Sequence, residues 1–284
     1  MTATTLVTVS SPDFRIGTEV MLASFLAHNR WFAGDILVLH SRLTGADQAA
    51  LAASFPRLAC RTASPPLATA IDTLTAAHPH LAARRDRFLS LETLLLPATG
   101  KLLFADSDLL FRGDIAPLLD SDAALVACPD AAMLRGNIRD AATLAEVAEV
   151  AAGETAPASF NAGLLVYDPV AAGAGVAAAL WPLLNPAGWA RIASQHTDQA
   201  VWNLLLRDRV HLAGTAFNLM IGHRAASFAH EPVPLADARV LHFNGGAKPW
   251  RPDRHADAIA RDPEYAAAVG LWAAARADWL RTRP

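Results

Sequence analysis

The sequence predicts an α/β protein with a doubly wound, mostly parallel sheet and helices on both faces. Apolar, β-branched runs alternate with stretches of helical spacing, and strands that are separated by helices pair in parallel. Two carboxylates directly follow one buried run, at the edge where open α/β sheets bind ligands. The 284 residues contain no internal repeat and no linker, so we expect one domain over residues 1–250 and a helical extension, residues 251–284, packed on it.

The first five elements form a strand-helix-strand-helix-strand pattern. Aliphatic and β-branched runs predict strands at Leu6–Ser10, Ile36–His40 and Leu58–Arg61. Helical spacing predicts one helix at Thr18–His28 and another at Thr44–Phe55, where the hydroxyl of the first residue can cap the free N–H groups of the opening turn.

The later elements rest on the same signals. A helical pattern at Leu81–Leu96 is stopped by a proline and leads into a strand at Lys101–Ala105. Residues Ala131–Pro157 show no sharp periodicity, and we interpret them as a loop with a helix that covers the site. The remaining predicted elements are strands at Ala123–Ala127, Phe160–Tyr167 and Val240–Phe243, and helices at Asp198–Leu206 (N-cap Thr197 or Asp198) and Pro263–Leu280 (N-cap Asp262).

Composition excludes several classes of protein. Hydrophobic residues make up 53% of the chain and charged residues 18%, which excludes a disordered chain or a coiled coil. The net charge of −3 provides no general attraction to nucleic acid, so we expect no such partner. No cation precedes the first apolar run, as a signal peptide requires, and we therefore expect a cytoplasmic protein. Cys60 and Cys128 have apolar neighbours and no CxxC spacing, which fits reduced thiols.

Two carboxylates follow the strand at Lys101–Ala105 in the order Asp106, Ser107, Asp108. Because side chains alternate along an extended segment, both carboxylates point to the same side and can reach one hard cation. A strand-end turn with exposed aspartates would have the same sequence. The buried run before Asp106 places the motif at the rim of the sheet and favours a site for a divalent metal and phosphate.

A second motif, with the sequence HFNGGAKPW, runs from His242 to Trp250. A neutral imidazole ligates metals, glycines let backbone N–H groups approach an oxyanion, and lysine supplies a positive charge. Lys248 is one of only two lysines among 24 cationic residues, the other being Lys101. A glycine-rich turn with a structural histidine is the alternative, and the scarcity of lysine favours the phosphate site.

Polar residues also stand at the expected start of a strand and of a helix. Asn161 and Gly163 open the strand at Phe160–Tyr167. Asp198 and Gln199 open a helix, where the pair can hydrogen-bond sugar hydroxyls or Asp198 can simply cap the helix.

Near the start of the chain, polar and aromatic residues follow the first strand. Ser10 and Asp13 can bond the edge of a base, and Phe14 can stack on it. A plain turn is an equally good interpretation of this segment.

Together these segments resemble the family-8 retaining glycosyltransferases, of the glycogenin and lipopolysaccharide galactosyltransferase type, which have the GT-A fold. The resemblance extends from Leu6 to Trp250 and rests on four motifs in order. They are Asp-x-Asp, Phe-Asn-Ala-Gly, Asp-Gln with Asn203 four residues on, and His-x-x-Gly-x-x-Lys-Pro-Trp. It implies a GT-A-like fold and transfer of a hexose from a UDP-sugar to a glycan, lipid-linked or protein acceptor.

The resemblance also implies roles for individual residues. Asp106, Asp108 and His242 would hold Mn²⁺ or Mg²⁺, and Asp198 and Gln199 would be catalytic residues beside the sugar. The family directs an arginine at the donor from the segment before the Asp-x-Asp strand, whereas this chain has Leu89 at that place and Arg87 two residues earlier. The expected substrate-binding residues are Val9, Ser10, Asp13, Phe14, Ser107, Asn161, Gly245 and Lys248.

Retention of configuration requires either a nucleophile on the far face of the sugar or same-face attack guided by the leaving phosphate. The amide oxygen of Gln199 is weakly nucleophilic, and Asp198 is the only carboxylate beside it. We therefore favour same-face attack.

Two other functions fit parts of the sequence. Ala-Asp-Ser-Asp resembles the nucleophile loop of a haloacid-dehalogenase phosphatase, although that loop normally continues with Gly-Thr and comes first in the chain. A non-catalytic sugar-nucleotide binder is the second alternative. Such a protein is expected to lack the metal ligands or the polar pair beside the sugar, and this chain has both.

Two tryptophans, Trp272 and Trp279, lie on one face of the predicted terminal helix, near several arginines. They can pack on the sheet or on a second copy of the chain, or dock on an anionic membrane that carries a lipid-linked acceptor. Packing is typical of tryptophans at helical spacing, so we expect no membrane contact and leave a homo-oligomer open.

Overall fold

The computed structural model describes residues 4–97, 100–130, 159–192, 196–224 and 231–283. Ten strands lie within these ranges and form two sheets. They are β1 (Thr5–Val9), β2 (Ile36–Leu39), β3 (Leu58–Arg61), β4 (Leu102–Ala105), β5 (Leu109–Phe111), β6 (Leu125–Pro129), β7 (Phe160–Tyr167), β8 (Val210–Leu212), β9 (Leu219–Met220) and β10 (Val240–His242).

Seven strands form the central sheet in the order β3-β2-β1-β4-β7-β6-β8. Strands β3, β2, β1 and β4 are parallel neighbours, β6 and β8 are also parallel, and β7 runs antiparallel to both β4 and β6. The sheet is therefore mostly parallel, which confirms the predicted fold class. The other three strands form a small sheet in the order β5-β10-β9, with β10 antiparallel to β5 and parallel to β9.

Helices connect most of the strands. A long 3-10 helix, Pro79–Leu95, leads into β4, and shorter 3-10 turns occur at Ala116–Asp120, Arg207–Arg209, Thr215–Phe217 and Ile221–His223. The α-helices are α1 (Arg15–His28), α2 (Gly45–Ser54), α3 (Pro65–Ala77), α4 (Pro169–Ala172), α5 (Gly175–Leu184), α6 (Pro186–Ile192), α7 (Thr197–Leu206), α8 (Pro252–Arg261) and α9 (Pro263–Thr282).

The helices cover both faces of the central sheet and bury a separate apolar cluster on each face. Phe25 of α1 belongs to one cluster, and Leu74 of α3 and Trp202 of α7 belong to the other. A third cluster joins the small sheet to α9 and contains Leu241 and Trp272. Because burying one large apolar side chain contributes about 1.5–3 kcal/mol, these clusters hold the strand ends in fixed positions.

Most of the predicted elements are confirmed. β3 and β7 have the predicted bounds, and the other predicted strands differ at their ends by one or two residues. Thr44 caps α2 in a reciprocal arrangement: its hydroxyl accepts from the Asp47 N–H at 3.1 Å, and the Asp47 carboxylate accepts from the Thr44 N–H at 3.1 Å. Asp262 caps α9 by accepting from two N–H groups of its first turn.

Other expectations differ from the structure. The segment with the helical pattern at Leu81–Leu96 is a 3-10 helix over Pro79–Leu95, and every residue of its second half from Phe88 to Leu94 is buried. Helix α7 begins at Thr197 with His196 as its N-cap, so neither predicted capping residue occupies the cap. The interpretation of Ala131–Pro157 as a covering loop concerns residues outside the described ranges.

The terminal helix α9 packs on the rest of the chain through its two tryptophans. Trp272 is 2% exposed and contacts Trp250, with ring centroids 5.7 Å apart. Trp279 stacks on Phe55 at 4.7 Å and an interplanar angle of 13°. Among the described residues, no helix combines the length and apolar character that crossing a membrane requires. The division at residue 250 stays a prediction.

Candidate active site

Strand pairing brings three distant segments to one edge of the central sheet. The Asp106 N–H donates to the Gly163 carbonyl at 2.8 Å, which ties the end of β4 to β7. The antiparallel register of β5 and β10 pairs Leu109 with His242, and the Phe243 N–H donates to the Asp108 carbonyl at 3.0 Å. The two sheets therefore meet where the Asp-x-Asp motif leaves β4.

This junction forms a cluster of potential metal ligands from Asp106, Asp108 and His242. One donor atom from each residue lies within 4.8 Å of the others. His242 Nε2 is 3.3 Å from Asp108 Oδ1 and 3.9 Å from Asp106 Oδ2. Gly163 makes room for the ring, since a Cβ at this position would lie 2.5 Å from His242 Cε1.

The donor set of this cluster fits a divalent cation. Two carboxylates and one imidazole are ligands that Mn²⁺ accepts, and the sheet edge leaves the side chain of Asp106 42% exposed to the cleft. Asp108 Oδ1 is buried and accepts no hydrogen bond from the described residues. An unpartnered buried carboxylate oxygen is costly, and a bound cation would satisfy it.

Lys248 lies on the other side of Asp108. Its ammonium group is paired with the Asp108 carboxylate, donates to the Phe243 carbonyl at 2.7 Å, and lies 5.6 Å from the ring centroid of Phe14. Gly245, three residues earlier, has φ +90°, a backbone conformation that favours glycine. The sharp turn at this residue brings Lys248 back against the carboxylate.

The acids of the cluster have perturbed pKa values of opposite sign. Desolvation in the cleft, followed by the negative charges of Asp108 and Asp198, holds the pKa of Asp106 well above its usual range. Burial also raises the pKa of Asp108, but the Lys248 ammonium and His242 together outweigh it, so the pKa of Asp108 lies below its usual range. The cluster therefore combines one firmly ionised carboxylate with a second that gains from an added cation.

Asp198 lies across the cleft, in the first turn of α7. Its Oδ2 accepts from the Ser90 hydroxyl at 2.7 Å, and its Oδ1 accepts from the Thr197 hydroxyl at 3.0 Å. The Trp202 indole N–H donates to Ser90 Oγ at 3.3 Å, which leaves the Ser90 proton directed at Asp198. Burial raises the pKa of Asp198, and the Ser90 hydrogen bond and the positive charge of Arg87 partly oppose this.

The side-chain amide of Gln199 is fixed beside Asp198. Its Oε1 accepts from the Ala162 N–H at 3.3 Å and from Asn161 Nδ2 at 3.2 Å. Its Nε2 donates to the Asp130 carboxylate at 3.3 Å. Both lone pairs of the oxygen are therefore used, and one N–H remains for a ligand.

The segment after β1 lines the third side of the cleft. Phe14 meets Trp250 edge to face at 5.4 Å, and the Trp250 indole N–H donates to the Asp13 carbonyl at 2.9 Å. The Ser10 hydroxyl is hydrogen-bonded to Thr18 at 2.7 Å, and Ser107 donates to the Val9 carbonyl at 2.5 Å. Ser107 thus links the Asp-x-Asp loop to β1 through its side chain.

One cleft of about 830 Å³ brings together all the residues proposed from the sequence for metal, substrate and catalysis. Arg87 lines this cleft and interacts electrostatically with Asp106 and Asp198, whereas Leu89 is buried in the core. Of these two residues, Arg87 is therefore the one placed to meet a ligand in the cleft, and the correspondence of Leu89 with the donor-facing arginine stays a prediction. Ser90, Asp130 and Asn218 were missed, since single polar residues beside apolar runs give no sequence signal.

Residues 6–254 match the family described as Glycosyl transferase family 8. This match covers most of the chain, and the fold and the cleft agree with it. The chain belongs to Glycosyl transferase family 8 and is a glycosyltransferase. None of the curated protein sequences is significantly similar to this chain.

Solved structures show the GT-A fold at low sequence identity. The galactosyltransferase LgtC in complex with donor and acceptor sugar analogues superposes with a TM-score of 0.65 and 21% identity, over 93% of this chain and 95% of LgtC. The glycosyltransferase GlyE of Streptococcus pneumoniae gives 0.60 and 17%, over 99% and 64%. Mouse xyloside xylosyltransferase 1 gives 0.56 and 12%, over 86% and 97%.

Proposed function

We propose that this glycosyltransferase is a metal-dependent, retaining hexosyltransferase. It moves a hexose from a UDP-sugar to a glycan, lipid-linked or protein acceptor. The observation that carries the proposal is the arrangement of the cleft: a cluster of three metal ligands with Lys248 lies on one side, and the Asp198–Gln199 pair lies on the other. A nucleotide sugar has its groups in the same order, with the diphosphate on one side of the reacting bond and the sugar hydroxyls on the other.

The uridine end of the donor lies against Phe14, Asp13 and the backbone of Val9 and Ser10 in this proposal. Phe14 is held by Trp250, so its ring is placed for stacking before the donor arrives. The Ser10 hydroxyl is engaged by Thr18, so its backbone is the part that contacts the base. Preorganisation of this kind reduces the entropy lost on binding.

The diphosphate end lies between the metal ligands and the 245–248 turn. A bound Mn²⁺ or Mg²⁺, held by Asp106, Asp108 and His242, would neutralise charge on the leaving UDP. Lys248 leaves its pairing with Asp108 and donates to a phosphate oxygen, and the Gly245 N–H adds a second donor. Positive potential at this end of the cleft favours breakage of the bond to the anomeric carbon.

On the sugar side, Asp198 accepts hydrogen bonds from hydroxyls of the hexose, and Gln199 and Asn161 each offer an N–H. Gln199 Oε1 has no lone pair left for attack on the anomeric carbon, since Ala162 and Asn161 use both. This supports same-face attack by the acceptor over a covalent intermediate on Gln199. The leaving phosphate then accepts the proton of the acceptor hydroxyl.

Two other functions compete with this proposal: a phosphatase and a non-catalytic binder of sugar nucleotides. Membership of Glycosyl transferase family 8 disfavours a haloacid-dehalogenase-like phosphatase. A non-catalytic sugar-nucleotide binder would keep the uridine and metal contacts without turnover. The cytoplasmic location stays a prediction, and a homo-oligomer stays an open alternative.

Titration calorimetry with UDP-glucose and UDP-galactose, with and without Mn²⁺, tests the proposal together with assays of released UDP. We expect metal-dependent binding of one UDP-sugar and slow metal-dependent hydrolysis without acceptor. Proton NMR of the hexose that is released first should show the same anomeric configuration as in the donor, as a retaining enzyme requires. Binding without UDP release would support the binder, and release of phosphate from simple monoesters would support the phosphatase.

A further inference from the structure

One buried amide, Asn218, lies between the two sides of the cleft. It is 1% exposed and follows the 3-10 turn Thr215–Phe217, just before β9. Its Nδ2 is 2.9 Å from Asn161 Oδ1, and its Oδ1 is 2.9 Å from His242 Nδ1. The direction of these two bonds decides which ring nitrogen of His242 carries the proton.

Backbone N–H groups fix that direction, because they can only donate. The Gly163 N–H donates to Asn161 Oδ1 at 2.9 Å, so the oxygen end of Asn161 is settled. The Ala162 N–H donates to Gln199 Oε1 at 3.3 Å, so Asn161 must direct its NH₂ group at that oxygen. These contacts fix the Asn161 side chain from both ends.

The orientation of Asn161 in turn fixes the orientation of Asn218, which contacts the metal cluster. Because Asn161 presents an oxygen, Asn218 must direct its NH₂ group there and its Oδ1 at His242. His242 Nδ1 therefore carries the proton and donates to Asn218. In the neutral ring Nε2 then keeps a lone pair, and this nitrogen faces Asp108 Oδ1 at 3.3 Å. A lone pair facing a carboxylate oxygen calls for a cation between them, either a proton or a metal ion, and a neutral imidazole with this orientation is a metal ligand.

We propose that Asn218 is a positioning residue of the metal site. It transmits the hydrogen-bond direction set by the backbone of β7 to His242, and so holds the ring with Nδ1 protonated and Nε2 turned towards Asp106 and Asp108. The inference rests on the proposed metal-dependent function. Asn218 acts through His242 and Asn161, and it is buried away from any substrate.

Two substitutions separate the contacts of Asn218. Asn218→Leu removes both hydrogen bonds. Asn218→Asp keeps an acceptor for His242 Nδ1 but places an oxygen against Asn161 Oδ1. The matched control is Asn29→Leu, because Asn29 is 0% exposed and also makes two hydrogen bonds, to the Phe25 carbonyl at 3.0 Å and from the Ile115 N–H at 2.9 Å. Asn29 is not among the residues that line the cleft.

The first measurement is the affinity of the protein for Mn²⁺ alone, from the paramagnetic resonance signal of free Mn²⁺. We expect Asn218→Leu to weaken binding by about 10–100-fold and Asn218→Asp to stay within about threefold of wild type. Asn29→Leu should lower the melting temperature as Asn218→Leu does, with unchanged Mn²⁺ affinity. In UDP-sugar hydrolysis, Asn218→Asp should lower kcat because Asn161 loses its donor.

The second measurement is the tautomer of His242 in metal-free protein, from nitrogen-15 NMR of labelled histidine. Wild type and Asn218→Asp should show a protonated Nδ1, and Asn218→Leu a mixture of tautomers. An unchanged tautomer and Mn²⁺ affinity in Asn218→Leu, or equal Mn²⁺ loss in Asn29→Leu, would overturn the proposal. Should Asn218→Leu not fold, loss of Mn²⁺ binding in Asn218→Asp as large as in His242→Ala would overturn it. Wild type that binds Mn²⁺ through His242 without releasing UDP would contradict the proposed function alone.

Discussion

The two sides of the cleft hold their polar side chains in opposite ways. On the metal side, Asp106, Asp108 and Lys248 bring formal charges together, and Asp108 Oδ1 accepts no hydrogen bond from the described residues. On the sugar side, the amides of Gln199 and Asn161 are tied to backbone N–H groups. In the proposed function, a bound cation completes the metal side, whereas the sugar side is fixed by hydrogen bonds within the protein. Substitutions on the two sides should therefore impair different properties of the enzyme.

The largest effect is expected on the metal side, from Asp108→Ala. This change removes one of three protein ligands and leaves Lys248 without its carboxylate partner. Binding of Mn²⁺ alone should be lost, and UDP release should fall by roughly a thousandfold, since the leaving UDP is no longer neutralised. Free Mn²⁺ and released UDP are the two measurements. Asp122→Ala, an exposed acid outside the cluster, is the control, and full wild-type activity in EDTA would contradict the prediction.

The two lysines of the chain provide the next comparison. Lys248→Met removes the charge from the diphosphate end and should lower kcat for UDP release by about a hundredfold. Binding of Mn²⁺ alone should be retained, because Asp108 is freed for the cation. Lys248 is only 7% exposed, so we also expect a lower melting temperature.

Lys101→Met is the matched control for Lys248→Met. The Lys101 ammonium donates to the Leu119 and Ser121 carbonyls, each at 2.6 Å, and its loss should reduce stability without changing kcat. Equal kcat/KM for Lys248→Met and wild type would show that Lys248 does not act on the diphosphate.

A smaller effect is expected on the sugar side, from Ser90→Ala. Burial raises the pKa of Asp198, and the Ser90 hydroxyl opposes this by donating to the charged carboxylate. Without the hydroxyl the pKa of Asp198 rises further. When the pH is lowered, Asp198 is then protonated at a higher pH than in wild type, and the activity that needs its charged form is lost there. We expect kcat to fall about tenfold at neutral pH, with the acid limb of the pH profile moved upward. An unmoved acid limb would contradict this role of Asp198, and Mn²⁺ affinity should not change.

The strand-helix alternation predicted six of the seven strands of the central sheet, all except β8, because each of those elements has its own local pattern. Helix α3 was missed although Leu67, Ile71 and Leu74 have helical spacing, so that signal was available. The small sheet was not predictable in the same way. Strand β10 was predicted as Val240–Phe243, but its partners β5 and β9 have only three and two residues, and long-range pairing rather than local propensity defines them.

The residues of the candidate site differ in the same way in how well the sequence predicts them. Asp106, Asp108 and His242 stand at strand ends in recognisable motifs, and these motifs could be read in the sequence. Asn218 and Ser90 act by contacting other side chains that lie far away in the sequence. No spacing rule reveals such contacts, because they exist only once the two sheets and the 3-10 helix have packed. The sequence therefore indicates which residues meet a ligand better than which residues orient them.

The smallest effect on turnover is expected from the terminal helix, which packs behind the end of the cleft where we propose that the uridine binds. Trp272 contacts Trp250, and Trp250 contacts Phe14. Trp272→Ala should destabilise the protein by about 3–5 kcal/mol and raise KM for the UDP-sugar a few-fold, with kcat unchanged. Trp279→Ala is the control, because Trp279 stacks on Phe55, outside the cleft, and should lower stability without changing KM.

Deleting residues 270–284 removes both tryptophans and tests what the helix binds. Because Trp272 and Trp279 already pack on the chain, they should be unavailable to a lipid surface, and both the full-length and the shortened protein should stay at background in co-sedimentation with anionic vesicles. The shortened protein should also have a lower melting temperature. Vesicle binding by the full-length protein that is lost on truncation, with the fold intact, would contradict this prediction and favour a membrane-bound acceptor.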